Sequence, residues 1–210
     1  MNMEQAAELL RHEGIPIINN NNCIQEEVLP HSNYSQLKLN KDKWLYGVWM
    51  IERENNPYLD VEEEFNSEDE GAKYFFIDLL SSHYFSKYVE EFMMNHPEFG
   101  IGRDTFDERG LLTAMSLLSI PSSYLIKDKN EAKNRAILLD RDDDTTVISL
   151  VNPSGQIAKS SLPIKNHRAL FFAFKGIYKL YLFEKKVSPL LEPYNLRNEF
   201  SDEDIFSFIF

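Results

Sequence analysis

The first apolar pattern in the chain has the spacing of a helix. Ala6, Leu9 and Leu10 share one helical face, and Gly14 then supplies the usual helix stop. We therefore predict a short helix before Gly14. Residues 15–33 contain two prolines and four consecutive asparagines, a composition typical of an irregular connection.

Alternating apolar and polar positions follow and predict β-strands. Tyr34 to Leu39 reads as one strand, and a polar turn at Asn40 to Lys43 leads to the next. Residues 44–51 are apolar on both faces, which favours an interior position in a sheet. Val61 to Phe65 predicts a further strand that carries three consecutive glutamates.

A helix start follows this acidic strand. Ser67 and Glu70 have the spacing of a capping box, and Glu68 and Asp69 lie where the helix dipole favours negative charge.

The apolar face of this helix changes side part-way along. The stripe from Ala72 to His83 does not continue into residues 85–93, which predicts a break near Ser81 and Ser82. A second helix then ends before Pro97.

Two helices and one further segment that favours a helix are predicted in the second half of the chain. Thr105 and Glu108 suggest another capping box, for a helix that stops at Pro121. A last short helix is predicted at residues 201–210, with Ser201 and Asp204 as its cap. Residues 166–186 are apolar almost all round, so a buried helix and a hairpin both fit; their Ala, Leu and Lys content favours a helix. Three stretches between these segments predict a meander of strands, at residues 135–140, 146–151 and 156–162.

These elements predict an α+β fold with antiparallel sheets packed against helices. Gly100 and Gly102 mark the best candidate boundary, which would separate a domain at residues 1–98 from one at 103–210. A single domain with a loop at this point is equally consistent with the sequence.

The composition is that of a folded protein. The chain has 210 residues, of which 43% are hydrophobic and 13% aromatic. Cys23 is the only cysteine, so no intramolecular disulfide is expected. No stretch reaches the roughly 20 apolar residues that cross a bilayer, and no leader pattern opens the chain. We therefore expect a cytoplasmic protein without a membrane partner.

The net charge of −12 lies entirely in the first half. Residues 1–100 contain 7 Lys and Arg against 19 Asp and Glu, whereas residues 101–210 contain 15 of each. This balance argues against direct binding of nucleic acid, which needs clustered cations. An acidic field of this kind either steers a basic partner or serves solubility.

The motifs of catalysis and metal binding are missing from the sequence. Asp140, Asp142 and Asp144 have the spacing of calcium ligands, but Thr145 and Val151 stand where such a loop needs Gly and Glu. The histidines are scattered and the glycines form no phosphate loop. We expect no enzyme activity, no metal and no cofactor.

The most binding-like group in the sequence combines acids with aromatic residues. Trp44 and Trp49 come before these acids in the sequence. The acids and aromatic residues could form a protein interface, or the tryptophans could be core residues and the acids a solvated helix start. The candidate protein-binding residues are Tyr58, Glu62, Glu63, Glu64, Glu68, Asp69 and Glu70.

The first half of the chain, roughly residues 1–95, resembles small immunity proteins of bacterial polymorphic toxin systems. The resemblance rests on the Trp-Leu-Tyr-Gly-Val-Trp strand, the acidic strand and the Phe-x-Ser-Glu-Asp-Glu-x-Ala helix start at residues 65–72. It implies a cytoplasmic, non-enzymatic protein that neutralises a cognate toxin domain by binding it. The partner that the resemblance implies is often a nuclease or another basic domain.

Two other functions remain open at this stage. One is a structural assembly subunit, which predicts a stable homo-oligomer. The other is a small enzyme or ligand-binding domain in the second half, with a pocket lined by Phe171, Phe172, Phe174, Tyr178 and Tyr181.

Overall fold

The computed structural model describes residues 1–51 and 56–210, apart from the side chain of His167. It confirms the α+β class. Contacts within the chain cluster into two compact units, residues 1–83 and 84–210, and Gly100 and Gly102 lie inside the second. Among the described residues, no helix combines the length and the apolar character needed to cross a membrane.

The first unit is an antiparallel meander with helices before and after it. Within the described residues its strands have the order β1-β2-β3-β4-β5. The elements are α1 (Met3–His12), β1 (Ile17–Asn20), β2 (Cys23–Glu26), β3 (Tyr34–Asn40), β4 (Lys43–Met50), β5 (Tyr58–Phe65) and α2 (Glu68–Tyr84), which ends at the first residue of the second unit.

The predicted irregular connection at residues 15–33 is wrong, because β1 and β2 form a hairpin there. Ile17 and Ile24 are buried, and the asparagine run supplies the end of β1 and the turn of this hairpin. Asparagine is a common turn residue, so the polar run marks a tight turn between short strands.

The N-terminal helix forms as predicted. Asn2 and Gln5 make a capping box at its start, and the backbone N–H of Gln5 donates to Asn2 Oδ1 at 2.9 Å. The residues that α1 buries are Met3, Ala6, Ala7, Leu9 and Leu10.

β4 has the predicted interior position, between β3 and β5. Its pairing with β5 contains a bulge: Tyr46 lies opposite Glu63 and Gly47 opposite Val61, so Glu62 is an extra residue. A Cβ atom on Gly47 would lie 2.0 Å from the carbonyl oxygen of Asp60. Glycine at position 47 is therefore required by the close approach of β5.

α2 packs closely on the sheet. Ser67 caps the helix by accepting the N–H of Glu70 at 3.3 Å. A Cβ atom on Gly71 would lie 2.8 Å from Leu37 Cδ1, so the glycine in the first turn lets the helix approach the buried Leu37 of β3. Phe75, one turn further along, meets the ring of Tyr46 with 6.2 Å between centroids.

The predicted helix break near Ser81 and Ser82 is wrong. α2 continues to Tyr84, and the chain then forms a π-helix at Phe85–Glu90. A π-helical turn holds more residues than an α-helical turn, so it rotates the side chains that follow and produces the phase change without a break.

The second unit combines helices with a sheet in which β8 pairs with three other strands. The helices are α3 (Glu91–Asn95), α4 (Glu108–Leu117), α5 (Asn166–Leu182), α6 (Ser188–Leu191) and α7 (Asp202–Ile209), with a π-helix at Phe183–Val187. The strands are β6 (Leu125–Ile126), β7 (Ala136–Arg141), β8 (Thr145–Val151), β9 (Ile157–Ser160) and β10 (Ile164–Lys165). Short 3₁₀ turns lie at Pro97–Phe99, Ser122–Tyr124, Lys129–Glu131, Glu192–Tyr194 and Arg197–Glu199.

Most predictions for this unit are confirmed. β7, β8 and β9 form the expected meander, to which β6 adds in parallel and β10 antiparallel. Residues 166–182 are a helix, and Ser201 and Asp204 form a capping box at α7. The capping box predicted from Thr105 is wrong, because Asp107 caps α4 by accepting the N–H of Gly110 at 2.7 Å.

Candidate protein-binding surface

β5 carries the acids that the sequence marked. Tyr58 is 44% exposed, and Glu62, Glu63 and Glu64 are exposed as well. The strand lies at the end of the sheet order, and all of its residues except Leu59 and Phe65 are exposed. The pairing with β4 shows on which face of the sheet each acidic side chain lies.

Glu63 belongs to the side of the sheet that α2 covers, because it lies opposite the buried Tyr46. The hydroxyl of Tyr46 donates a hydrogen bond to Asp78 Oδ2 on α2. Tyr74, also on α2, meets Tyr46 edge-to-face with 5.0 Å between ring centroids, and Phe65 packs on Tyr74 at 5.2 Å. Strand and helix thus meet around two tyrosine rings.

Three carboxylates influence these two tyrosines electrostatically. Burial raises the pKa of Tyr46 above its ordinary value, and the negative charges of Asp78 and, more weakly, Glu62 raise it further. Burial also raises the pKa of Tyr74, followed by the charges of Asp78, Glu63 and Glu62. We call Tyr46, Tyr74, Asp78, Glu62 and Glu63 the tyrosine–carboxylate cluster. It combines two exposed glutamates, a partly buried aspartate and two tyrosines, of which only Tyr74 is partly exposed.

The other predicted acids lie elsewhere. Glu64 is opposite Leu45, so its side chain belongs to the other face of the sheet from Glu63. Glu68 accepts the backbone N–H of Met3 at 3.0 Å, which ties it to the start of α1. Asp69 and Glu70 occupy the first turn of α2. The structure therefore brings only Glu62 and Glu63 of the predicted acids into the cluster.

The two tryptophans have different environments. Trp44 is 8% exposed and belongs to the core of the first unit. Trp49 is half-buried on the opposite face, where it stacks on Tyr34 at 6.4 Å, and Lys38 Nζ lies 5.1 Å from the centre of its ring. Neither tryptophan therefore takes part in the tyrosine–carboxylate cluster.

Sequence reasoning missed Tyr46, Tyr74 and Asp78. One weak signal was present: Asp78 is an acid inside an otherwise apolar helical stretch, at positions 75–80. A half-buried acid in such a run needs a hydrogen-bond donor, and Tyr46 supplies it. Only the pairing of β4 with β5 and the packing of α2 show that Glu62 and Glu63 join it.

The aromatic residues proposed to line a pocket in the second unit pack against other rings. Phe174 is fully buried and Tyr178 nearly so, and Phe92 meets both rings. A cleft of about 660 Å³ in this unit has other walls, and its Arg135 and Arg197 are already paired with carboxylates. That cleft is lined by Arg135, Phe183, Ser188, Glu192, Asn195, Arg197, Asn198, Phe200 and Ile205.

Of the residues with calcium-like spacing, Asp140 lies on β7 opposite Val147, and Asp142 and Asp144 lie on the turn between β7 and β8. Asn166 holds this turn: its Nδ2 donates to the carbonyl oxygens of Asp142 at 3.3 Å and Asp143 at 3.0 Å. In the part of the chain that the structure describes, no group of three or more His, Cys, Asp or Glu side chains is arranged to hold a metal ion.

Comparisons of the chain with protein-family models, with curated proteins and with solved structures find no match.

Proposed function

We propose that this chain is a non-enzymatic immunity-type protein that binds and neutralises a cognate bacterial toxin domain with a basic surface. One observation carries the proposal: the tyrosine–carboxylate cluster, in which Tyr46 bonds Asp78, Tyr74 packs on Tyr46, and the charges of Asp78, Glu63 and Glu62 act on Tyr74. The partly exposed ring of Tyr74 lies near the exposed Glu62 and Glu63 and suits a lysine or arginine side chain, which pairs with the acids and packs on the ring face. Tyr46 is buried, so its role is to hold Asp78 rather than to contact the partner.

The charge of the first unit supports the same partner chemistry. Residues 1–83 contain 6 Lys and Arg against 16 Asp and Glu, a balance of −10. A field of this sign attracts a basic domain over a distance and speeds the formation of the complex. Residues 84–210, with 16 against 18, contribute little to this attraction.

The direct test uses the protein encoded beside the gene for this chain. We expect that protein to arrest growth when expressed alone, that co-expression of this chain restores growth, and that the two proteins form a stoichiometric complex. Arrest that persists despite a stable, abundant chain, with no complex on size exclusion, would contradict the proposal.

A pair of variants tests the surface. Glu62→Gln with Glu63→Gln removes two charges of the cluster and keeps its shape, so association at low salt should slow by roughly three- to tenfold and depend less on salt. The control is Asp143→Asn with Asp144→Asn, which removes two exposed charges from the β7–β8 turn. Equal association rates for both variants would place the interface elsewhere.

A further inference from the structure

β5 is a long strand at the end of the sheet order. β5 has eight residues, roughly 27 Å, and among the described strands only β4 pairs with it. In an antiparallel pair, alternate residues bond to the partner and the residues between them direct N–H and C=O outward. The edge therefore offers donors and acceptors to an added strand.

Most side chains along this strand are exposed. Tyr58 and Val61 are 44% and 43% exposed, and all four acids of the strand are exposed. Among the described residues, no strand other than β4 pairs with β5, so an added strand would not displace a described strand at this edge.

The opposite edge of the same sheet differs. β1 has only four residues, and the guanidinium group of Arg11 donates two hydrogen bonds to the carbonyl oxygen of Ile17, at 3.0 and 2.7 Å. A side chain of the protein itself already occupies that edge. Strand addition is therefore favoured at β5.

Charge selects the occupant of the β5 edge. Asp60, Glu62, Glu63 and Glu64 are acidic, and the strand contains no Lys or Arg. Pairing with β5 of a second copy would place carboxylates opposite carboxylates, which is destabilising, whereas a lysine- or arginine-rich strand places opposite charges together. The bulge at Glu62 keeps Glu62 and Glu63 near Tyr74, beside the edge.

We infer that β5 binds an extended basic segment of the partner protein by strand addition, with main-chain hydrogen bonds along its outer edge. This inference rests on the proposed function and specifies how the acidic surface engages its partner. Tyr58 to Val61 and Glu63 to Phe65, on either side of the bulge, are the two pairing segments.

The experiment uses a blocked seven-residue peptide of alternating lysine and threonine, added to the full-length protein and followed by amide chemical shifts. Two further peptides carry backbone N-methyl groups, one on every lysine and the other on every threonine. All three have the same charge. In an added strand, one set of N–H groups faces β5 and the other faces solvent.

Strand addition predicts that the unmodified peptide shifts the amides of Tyr58 to Phe65. One methylated peptide should bind like the unmodified one, and the other at least about tenfold more weakly, because it lacks several main-chain donors. The Asp143→Asn, Asp144→Asn variant, altered in the other unit, should bind the unmodified peptide normally.

Two results would overturn the inference. Equal binding of all three peptides, lost in the Glu62→Gln, Glu63→Gln variant, would mean charge attraction without strand pairing and leave the proposed function standing. Absence of peptide-induced shifts along β5 would also overturn strand addition, and the growth assay would then judge the proposed function separately.

Discussion

Replacing Gly47 with alanine tests the close pairing of β4 and β5 that positions the acidic strand. The added Cβ atom would lie 2.0 Å from the carbonyl oxygen of Asp60, 2.8 Å from its carbonyl carbon and 3.0 Å from the Cα atom of Val61. An ordinary contact needs at least 3.4 Å, so β5 would have to move by roughly 1.4 Å. All three atoms are backbone, so rotation of a side chain gives no relief.

Overpacking costs about 1–3 kcal/mol, and a backbone collision that disturbs strand pairing belongs at the upper end, about 3 kcal/mol. Both tryptophans of the chain lie on β4, three and two residues from Gly47, so their fluorescence reports on this unit during urea unfolding. With a slope of about 1–3 kcal/mol per M, the midpoint should fall by about 1–3 M.

Gly14→Ala is the matched control. No atom lies within 4 Å of its added Cβ, and only its φ of +89° opposes the change, at a cost of about 1 kcal/mol. The midpoint of this control should fall by about a third as much. An unchanged midpoint for Gly47→Ala, with the same slope as the unsubstituted protein, would refute the bulged pairing at Glu62.

Three further substitutions follow from the buried hydrogen bonds. Because the pKa of Tyr46 is raised in the folded protein, its stabilising effect is complete below the unfolded-state pKa of about 10. As the pH rises above that value, the free energy of unfolding falls by up to about 1.4 kcal/mol per pH unit. Tyr46→Phe should make the alkaline fall of the urea midpoint shallower, and an identical pH profile would contradict this. Asn166→Ala leaves the hydroxyl of the buried Thr146 without its acceptor and should lower the free energy of unfolding by about 1–3 kcal/mol, seen as a lower Tm by circular dichroism. The control is Asn130→Ala, at an exposed 3₁₀ turn. Glu68→Ala removes the acceptor for the N–H of Met3 and should cost about 1 kcal/mol with faster amide exchange in α1, whereas unchanged exchange would show that the contact contributes nothing.

Local signals explain why much of the fold is predictable. The apolar spacing of α1, the alternation in β3 and the capping box at Ser201 each lie within a few residues of sequence, and each forms as predicted. Helix formation at residues 166–182 also follows its residue content. In these segments, local preference and tertiary packing favour the same conformation.

The errors arise where a local signal has two structural solutions. Four asparagines are compatible with either an irregular loop or a tight hairpin turn. The hairpin forms because it buries Ile17 and Ile24. A change of helical phase suits a break and a π-helix, and the chain forms the π-helix at Phe85–Glu90. At α4, Thr105 and Asp107 are both capping residues, and the geometry selects Asp107.

The candidate surface was predictable only in part, because it depends on contacts between distant residues. Glu62 and Glu63 were predicted from the density of acids, whereas Tyr46 and Asp78 are 32 residues apart and meet only in the folded sheet and helix. Gly71 shows the same limit: it is a poor helix residue by propensity, and its place is explained by the closeness of Leu37.

The net charge of the first unit and the tyrosine–carboxylate cluster therefore depend on different residues. Of the acids between positions 60 and 70, Glu68 stabilises α1 and Glu64 belongs to the other face of the sheet from Glu63, so removing either changes the total charge without changing the cluster. Glu62 and Glu63 share one location because a bulge adds a residue to β5, and that bulge requires glycine at position 47. A residue without a side chain thus fixes the position of two of the charges on which the proposed recognition of a basic partner depends.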